Sequence, residues 1–458
     1  MKDEQRFREI ISKVKDDAVE RVLHRELARD VCDGPSVPGW LRGKTLYEVY
    51  LRNFSQKRTF RALTQRLDHL KEQGFDVLWL MPVWEIGEKD RKGSQGCPYA
   101  VRDYYKLNAE YGGEKELREL VDEVHKRGMR IIIDMVANHV APDYRLLENE
   151  PGLIQRDEKG NPKRKVAGWS DITDLNYDNP KTREHMRDVI KYWLEEFNLD
   201  GFRCDVAGMV PLDFWEKLIP ELEAINPDIY MLAEWDGAML HRRAFHSTYD
   251  WVLNELMVLV RQGKESAHVL LEWQKLRRDY YPQNALPLRF LENHDKQRAA
   301  KVFGVKEQIP FLVAVYTFDG LPLVYNGQEI AAKHKPSLFE HEPVEWDKGD
   351  SAINTIYQKL IDLRKNNPLM ASGDIRQHVH NAIPDVLLYE KQGEKPLLVG
   401  ANMRAEKIEL QVPATLSGRL SRCRELFNSR DRLDCRENAL RLEPWQAFIV
   451  ELENKYTA

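Results

Sequence analysis

Three carboxylates stand at the ends of apolar runs. They are Asp205 in Gly201-Phe202-Arg203-Cys204-Asp205-Val206-Ala207, Glu234 in Met231-Leu232-Ala233-Glu234-Trp235, and Asp295 in Asn293-His294-Asp295. On a strand, residues two apart share a face, so Arg203 and Asp205 point the same way. A guanidinium beside a carboxylate favours its ionised form, which predicts a lowered pKa for Asp205 and suits a nucleophile or an electrostatic stabiliser. The apolar and aromatic context of Glu234 predicts the opposite, a raised pKa and a retained proton. Alone, Arg203 and Asp205 read first as a structural ion pair. Three carboxylates gathered on one rim are harder to explain structurally, because buried like charges repel.

Two chemistries use carboxylates and histidines in this way. Metal-assisted hydrolysis holds an ion with His and Asp ligands, and predicts a tight cluster such as H-x-H on one strand, which the sequence lacks. Retaining glycoside hydrolysis uses one carboxylate as nucleophile and a second, about 5 Å away, as acid and then base. Neighbouring strands can supply that pair. Aromatic residues for stacking on sugar faces lie close to these motifs at Trp79, Trp84, Tyr99, Trp169 and Trp235, although such residues are also ordinary core.

The elements that must position these groups follow from hydrophobic patterning. Strands are expected at 46–51, 77–81, 129–136, 201–205, 229–233, 249–253, 288–291 and 321–325, with helices at 60–73, 115–127, 182–197, 213–224 and 353–365. Strands apolar on both faces and alternating with helices imply a parallel sheet covered on both sides. Eight such units give a (β/α)8 TIM barrel, whose chemistry sits at the strand C-termini. Asp134, ending the third strand, is expected to bond loop amides. The expected division is an N-terminal helix and linker (1–40), a barrel (41–139 and 182–370), an insertion after the third strand (140–181) and a C-terminal antiparallel β-sandwich (371–458).

The bulk composition narrows the partners. Of 458 residues, 42% are hydrophobic and 31% charged, and the net charge is -5. That balance points away from nucleic acid and anionic membranes and towards a neutral or polar substrate. No apolar run is long enough to span a bilayer, and the charged N-terminus does not read as a signal peptide, so a cytoplasmic location is expected, or a periplasmic or secreted one if a signal has been removed. Five scattered cysteines without a CxxC pair agree with a reducing compartment, although Cys423 and Cys435 could meet on neighbouring strands.

From about Thr45 to Leu452 the sequence resembles the α-amylase family of retaining glycoside hydrolases. The segments occur in the family's order: Pro98 to Tyr104, Asp134 to His139, Gly201 to Ala207, Glu234, Asn293 to Asp295, and Gly320 to Glu329. The resemblance implies Asp205 as nucleophile oriented by Arg203, Glu234 as acid/base, and Asp295 as the carboxylate that holds sugar hydroxyls. It implies that His139 and His294 bind hydroxyls of the same glucose, with Tyr99 stacking below it. No cofactor is implied for the chemistry; Asn138 and Asp174 match the family's ligands for a structural Ca2+, oxygen ligands of the kind calcium takes, or else they bond the insertion to the barrel without an ion. One departure stands out. Where many members carry Lys-His, three and four residues past the nucleophile, this chain has Gly208-Met209. The implied substrate is an α-1,4-glucan or maltooligosaccharide. Transglycosylation or α-glucoside isomerisation at the same site is the alternative, and a non-catalytic carbohydrate-binding scaffold a more distant one.

Overall fold

The computed structural model describes residues 2–13, 34–372, 374–378, 383–430 and 432–453. Eight parallel strands close into a barrel in sequential order: β1 (Leu46–Val49), β2 (Val77–Leu80), β3 (Arg130–Val136), β4 (Gly201–Asp205), β5 (Tyr230–Ala233), β6 (Ser247–Tyr249), β7 (Leu286–Arg289) and β8 (Leu321–Tyr325). Register places Asp134 opposite Arg203, Val136 opposite Asp205, and Cys204 opposite Ala233. The third, fourth and fifth strand ends therefore lie side by side. Gly201 opens β4 where the backbones come closest: a Cβ there would lie 1.9 Å from the Tyr230 carbonyl oxygen.

Two expected elements differ in kind or place, and the seventh strand begins two residues earlier than expected. The helix expected over 60–73 is two, Phe60–Thr64 and Leu67–Gln73, separated where Arg66 adopts φ −102° and ψ −2°. The sixth strand lies earlier than expected, because the Asp250 carboxylate accepts from Leu253 N at 3.1 Å and caps a helix, Trp251–Arg261, over most of the predicted strand. Its own residues, Ser247-Thr248-Tyr249, carry little of the apolar signal that marks the other strands.

Between β3 and β4, the short strands His139–Val140 and Thr173–Asp174 pair antiparallel and tie the insertion to the barrel rim. After the barrel, a five-stranded antiparallel sheet faces a three-stranded one. Period-two alternation divides the larger sheet's contacts. Leu387, Tyr389, Val399 and Ile449 join the barrel core, while Val386, Leu388, Leu398, Phe448 and Val450 pack with Leu410, Leu440 and Leu442 of the smaller sheet. The helix Lys2–Ser12 buries Phe7 against Trp273 and Tyr280 and pairs Arg6 with Glu272 at 2.7 Å.

Cys97, Cys204, Cys423 and Cys435 are free thiols, so Cys423 and Cys435, which could have met on neighbouring strands, form no bridge; Cys32 lies outside the described residues. Among the described residues, no helix is long and apolar enough to cross a membrane.

Candidate active site

The strand ends converge on Arg203, which is fully buried inside the barrel. Its Nη1 donates to Asp134 Oδ1 at 2.7 Å and to Asp205 Oδ1 at 3.0 Å, and Nε donates to the Tyr249 hydroxyl at 3.1 Å. Nη2 lies 2.9 Å from Glu234 Oε2, a Coulombic contact without hydrogen-bond alignment. One guanidinium thus serves three carboxylates, rather than Asp205 alone. Asp134 does not bond loop amides as expected; Arg203 takes one of its oxygens and the Tyr99 hydroxyl donates to the other at 3.0 Å. Trp79 packs over the guanidinium, 5.1 Å from its ring centroid.

This sharing changes the expected electrostatics. Burial pushes Asp205 up to about 7 against the downward pull of Arg203, because Asp134 and Asp295 add negative charge nearby. The lowered pKa expected for Asp205 is therefore not found: desolvation outweighs one shared cation. Burial also raises Glu234 to about 7 and Asp134 to about 6, again opposed by Arg203. The site holds protons in the neutral range.

Asp205 is anchored through one oxygen only. Its Oδ2 is buried and without a hydrogen-bond partner, 3.8 Å from His139 Nε2. The next residue, Val206, has φ 37° and ψ 46°, a left-handed conformation unusual for a β-branched side chain. That turn aims Val206 N at Glu234 Oε2, 2.8 Å away. Gly208 follows, and a Cβ there would lie 2.2 Å from Trp235 Cε2. The indole thus lies against the position at which many relatives are expected to carry lysine.

The histidines differ in charge. Burial lowers His139 to about 4, so it is neutral at pH 7. Burial also acts to lower His294, but Asp295 and Glu48 outweigh it and lift His294 to about 9. Its Nδ1 bonds to Glu48, and its Nε2 lies 2.8 Å from the Tyr99 hydroxyl and 3.4 Å from Asp295 Oδ2. Tyr99 stacks on the His294 ring at 5.6 Å between centroids. Glu48 was missed by sequence reasoning, although a glutamate inside Leu46-Tyr47-Glu48-Val49 is itself an anomaly in a buried strand.

Asp205, Glu234, Asp295, Tyr99, His139 and His294 line one cleft of about 180 Å³. Trp169, Leu338 and Phe339 wall it, and Lys92 closes one side through Asp171 at 2.8 Å. Of the other aromatics anticipated for stacking, Trp79 and Trp84 are buried core and Trp235 is half-buried. A larger cavity, about 1120 Å³, opens at the opposite barrel end around Arg277, Arg289 and Arg364, away from these strand ends.

Asn138 and Asp174, the implied calcium ligands, are both buried in the same region. Lys165 Nζ donates to Asn138 Oδ1 at 3.1 Å and to Met209 O at 3.0 Å, and Lys165 N donates to Asp174 Oδ2 at 2.6 Å. Asp174 Oδ1 is buried without a partner, which is the one feature that invites an ion. However, an ion bound to Asn138 would compete with an ammonium for the same oxygen. No group of three or more His, Cys, Asp or Glu residues among those described could hold a metal. As arranged, these residues do not fit calcium.

Comparison with known proteins agrees with this geometry. The family description "Alpha amylase, catalytic domain" matches residues 53–161 and 166–355. The chain belongs to the α-amylase family. A maltogenic α-amylase from Thermotoga neapolitana, of known structure, is 30% identical with a TM-score of 0.81, covering 91% of this chain and 100% of that one. An α-amylase structure from Lactobacillus plantarum is 29% identical with a TM-score of 0.81, covering 90% and 99%. By sequence, "Alpha-amylase 3" of Dictyoglomus thermophilum is 26% identical over 438 residues, covering 79% of this chain and 85% of that protein. As an α-amylase-family glycoside hydrolase, the chain works with side-chain chemistry and needs no cofactor for it.

Proposed function

We propose that this protein hydrolyses α-1,4-glucosidic bonds in α-glucans or maltooligosaccharides with retention of configuration, through a glucosyl ester on Asp205. The observation that carries the reading is Asp205 itself. Arg203 holds Oδ1, while Oδ2 stands buried and unpartnered in the cleft that Glu234 also lines. Oδ2 attacks the anomeric carbon as the bond to the leaving oxygen breaks and Glu234 passes that oxygen its proton. The ionised Glu234 then takes a proton from water, whose oxygen displaces Asp205 from the anomeric carbon. Raised proton affinity at Glu234 supports its role as acid at neutral pH. Asp295, His139, cationic His294 and Tyr99 hold the hydroxyls and face of the same sugar. The small cleft and the maltogenic Thermotoga relative favour short maltooligosaccharides.

The test is trapping. A 5-fluoro-α-glucosyl fluoride should add one fluoroglucosyl unit to the peptide bearing Asp205, and fresh product from maltotriose should be the α anomer by NMR. Label on another residue, or a β-anomeric product, would refute the mechanism.

Transfer to a sugar acceptor is a second reading, favoured by the Trp235 indole lying against Gly208. An apolar ring beside the leaving-group side offers a stacking surface for an incoming sugar. Oligomers longer than the maltotriose supplied would identify transfer; only shorter ones would identify hydrolysis.

A further inference from the structure

Lys165 departs from ordinary lysine behaviour. Its residue is exposed, yet its ammonium is engaged by two protein oxygens, whereas a surface lysine normally leaves its charged end to water alone. The two acceptors belong to different catalytic strand ends. Asn138 follows β3, and Met209 closes the turn that begins just after the Asp205 strand. The Lys165 backbone, in turn, is fastened to Asp174 of the insertion at 2.6 Å. One side chain therefore ties three segments together with a positive charge.

The contacts also set a hydrogen-bond direction. Because Asn138 Oδ1 accepts from the ammonium, its amide nitrogen must be the group facing His139 Nδ1, 3.2 Å away. An amide nitrogen only donates, so Nδ1 accepts and the imidazole proton sits on Nε2. That nitrogen faces Asp205 Oδ2.

We propose that Lys165 is the resident cation of this site, in place of a bound Ca2+. It clasps the insertion to the ends of β3 and β4 and, through Asn138, fixes His139 with its Nε2–H towards Asp205. Lys165 is a positioning residue, touching neither substrate nor reacting atoms. Only the kinetic part of the test rests on the proposed role of Asp205; the thermal part is independent of it.

The experiment compares the wild-type chain with Lys165→Met, which keeps the aliphatic stem and removes the charge. Wild-type protein should contain no stoichiometric calcium by elemental analysis, and neither its Tm nor its kcat/KM should respond to EDTA or to millimolar CaCl2. In EDTA, Lys165→Met should have a lower Tm and a kcat/KM reduced on the order of tenfold, the scale of one lost charge-assisted hydrogen bond. Millimolar CaCl2 should restore much of both, because an emptied oxygen cage with Asp174 in it accepts a hard cation. A merely structural lysine would not create a calcium response. The proposal is overturned by calcium in the wild-type protein, by wild-type sensitivity to EDTA, by a variant indistinguishable from wild type, or by a loss that calcium leaves unchanged. If the variant does not fold, the wild-type metal content and chelator response decide.

Discussion

Replacing the proposed nucleophile should make the protein more stable at alkaline pH while abolishing its activity. Asp205 rises from an ordinary 3.8 to about 7 in the folded chain. Between those values the folded state keeps a proton that the unfolded chain has released, so stability falls as pH rises. The contribution is fully present below about pH 4 and gone above about pH 7. The interval corresponds to a ceiling of about 4 kcal/mol. Glu234 and Asp134 are raised for the same reason and share the same cation, so part of that cost is common to all three. Asp205→Asn is expected to recover roughly 2–4 kcal/mol at about pH 8. The amide oxygen can still accept from Arg203 Nη1, and the group that replaces the unpartnered Oδ2 carries no charge to desolvate. Denaturant unfolding of both proteins at about pH 3.5 and pH 8 tests this. The midpoints should nearly coincide in acid and separate at pH 8, with the variant higher. Hydrolysis should fall by about 10⁴-fold or more, as when a covalent nucleophile is removed. A variant equal to or weaker than wild type at pH 8 would refute the argument that shared burial, rather than good pairing, governs these carboxylates.

Glu234→Gln should slow maltotriose hydrolysis by about 10²–10⁴-fold but slow the first step on a glucosyl fluoride much less, since fluoride leaves without a proton; equal losses on both would remove Glu234 as the acid. Glu48→Gln should flatten the stability lost as pH rises from 6.5 through about 9, because Glu48 helps hold His294 protonated in that window and a cation of raised pKa stabilises only while it stays charged. Unfolding midpoints on either side of the window check it, and an unchanged slope counts against the pair. Gly208→Ala places a Cβ 2.2 Å from Trp235 Cε2, so the indole must move. The ratio of transfer to hydrolysis products from maltotriose should change, with an unaltered ratio excluding Trp235 from the acceptor side.

Most of the barrel was legible because its strands are buried on both faces and therefore read as continuous apolar runs, several ending abruptly in a polar group. Asp205, Glu234 and Asp295 stood out for that reason. Strand β6 did not, being Ser247-Thr248-Tyr249 followed by a helix cap at Asp250. Pairing across the barrel was also hidden, since it depends on register: Asp134 meets Arg203 because β3 and β4 place them opposite each other, 69 positions apart in the chain. The raised proton affinity of Asp205 could not follow from the local R-x-D spacing, because the competing carboxylates come from other strands. Lys165 was lost in a charged stretch where a single lysine carries no signal.

In the mechanism proposed above, the left-handed turn at Val206 would give the reaction a timing. Its N–H is held by Glu234 Oε2 at 2.8 Å, and a hydrogen bond to a carboxylate is stronger than one to a neutral carboxyl. In the proposed cycle Glu234 gives up its proton as the ester forms and regains it as the ester breaks. The grip on the residue next to Asp205 therefore tightens during the lifetime of the intermediate and slackens when the enzyme is free. A backbone conformation that costs on the order of 1–3 kcal/mol is best supported when the sugar is covalently attached, so the proposed acid/base would also act as a latch on the chain that carries the proposed nucleophile.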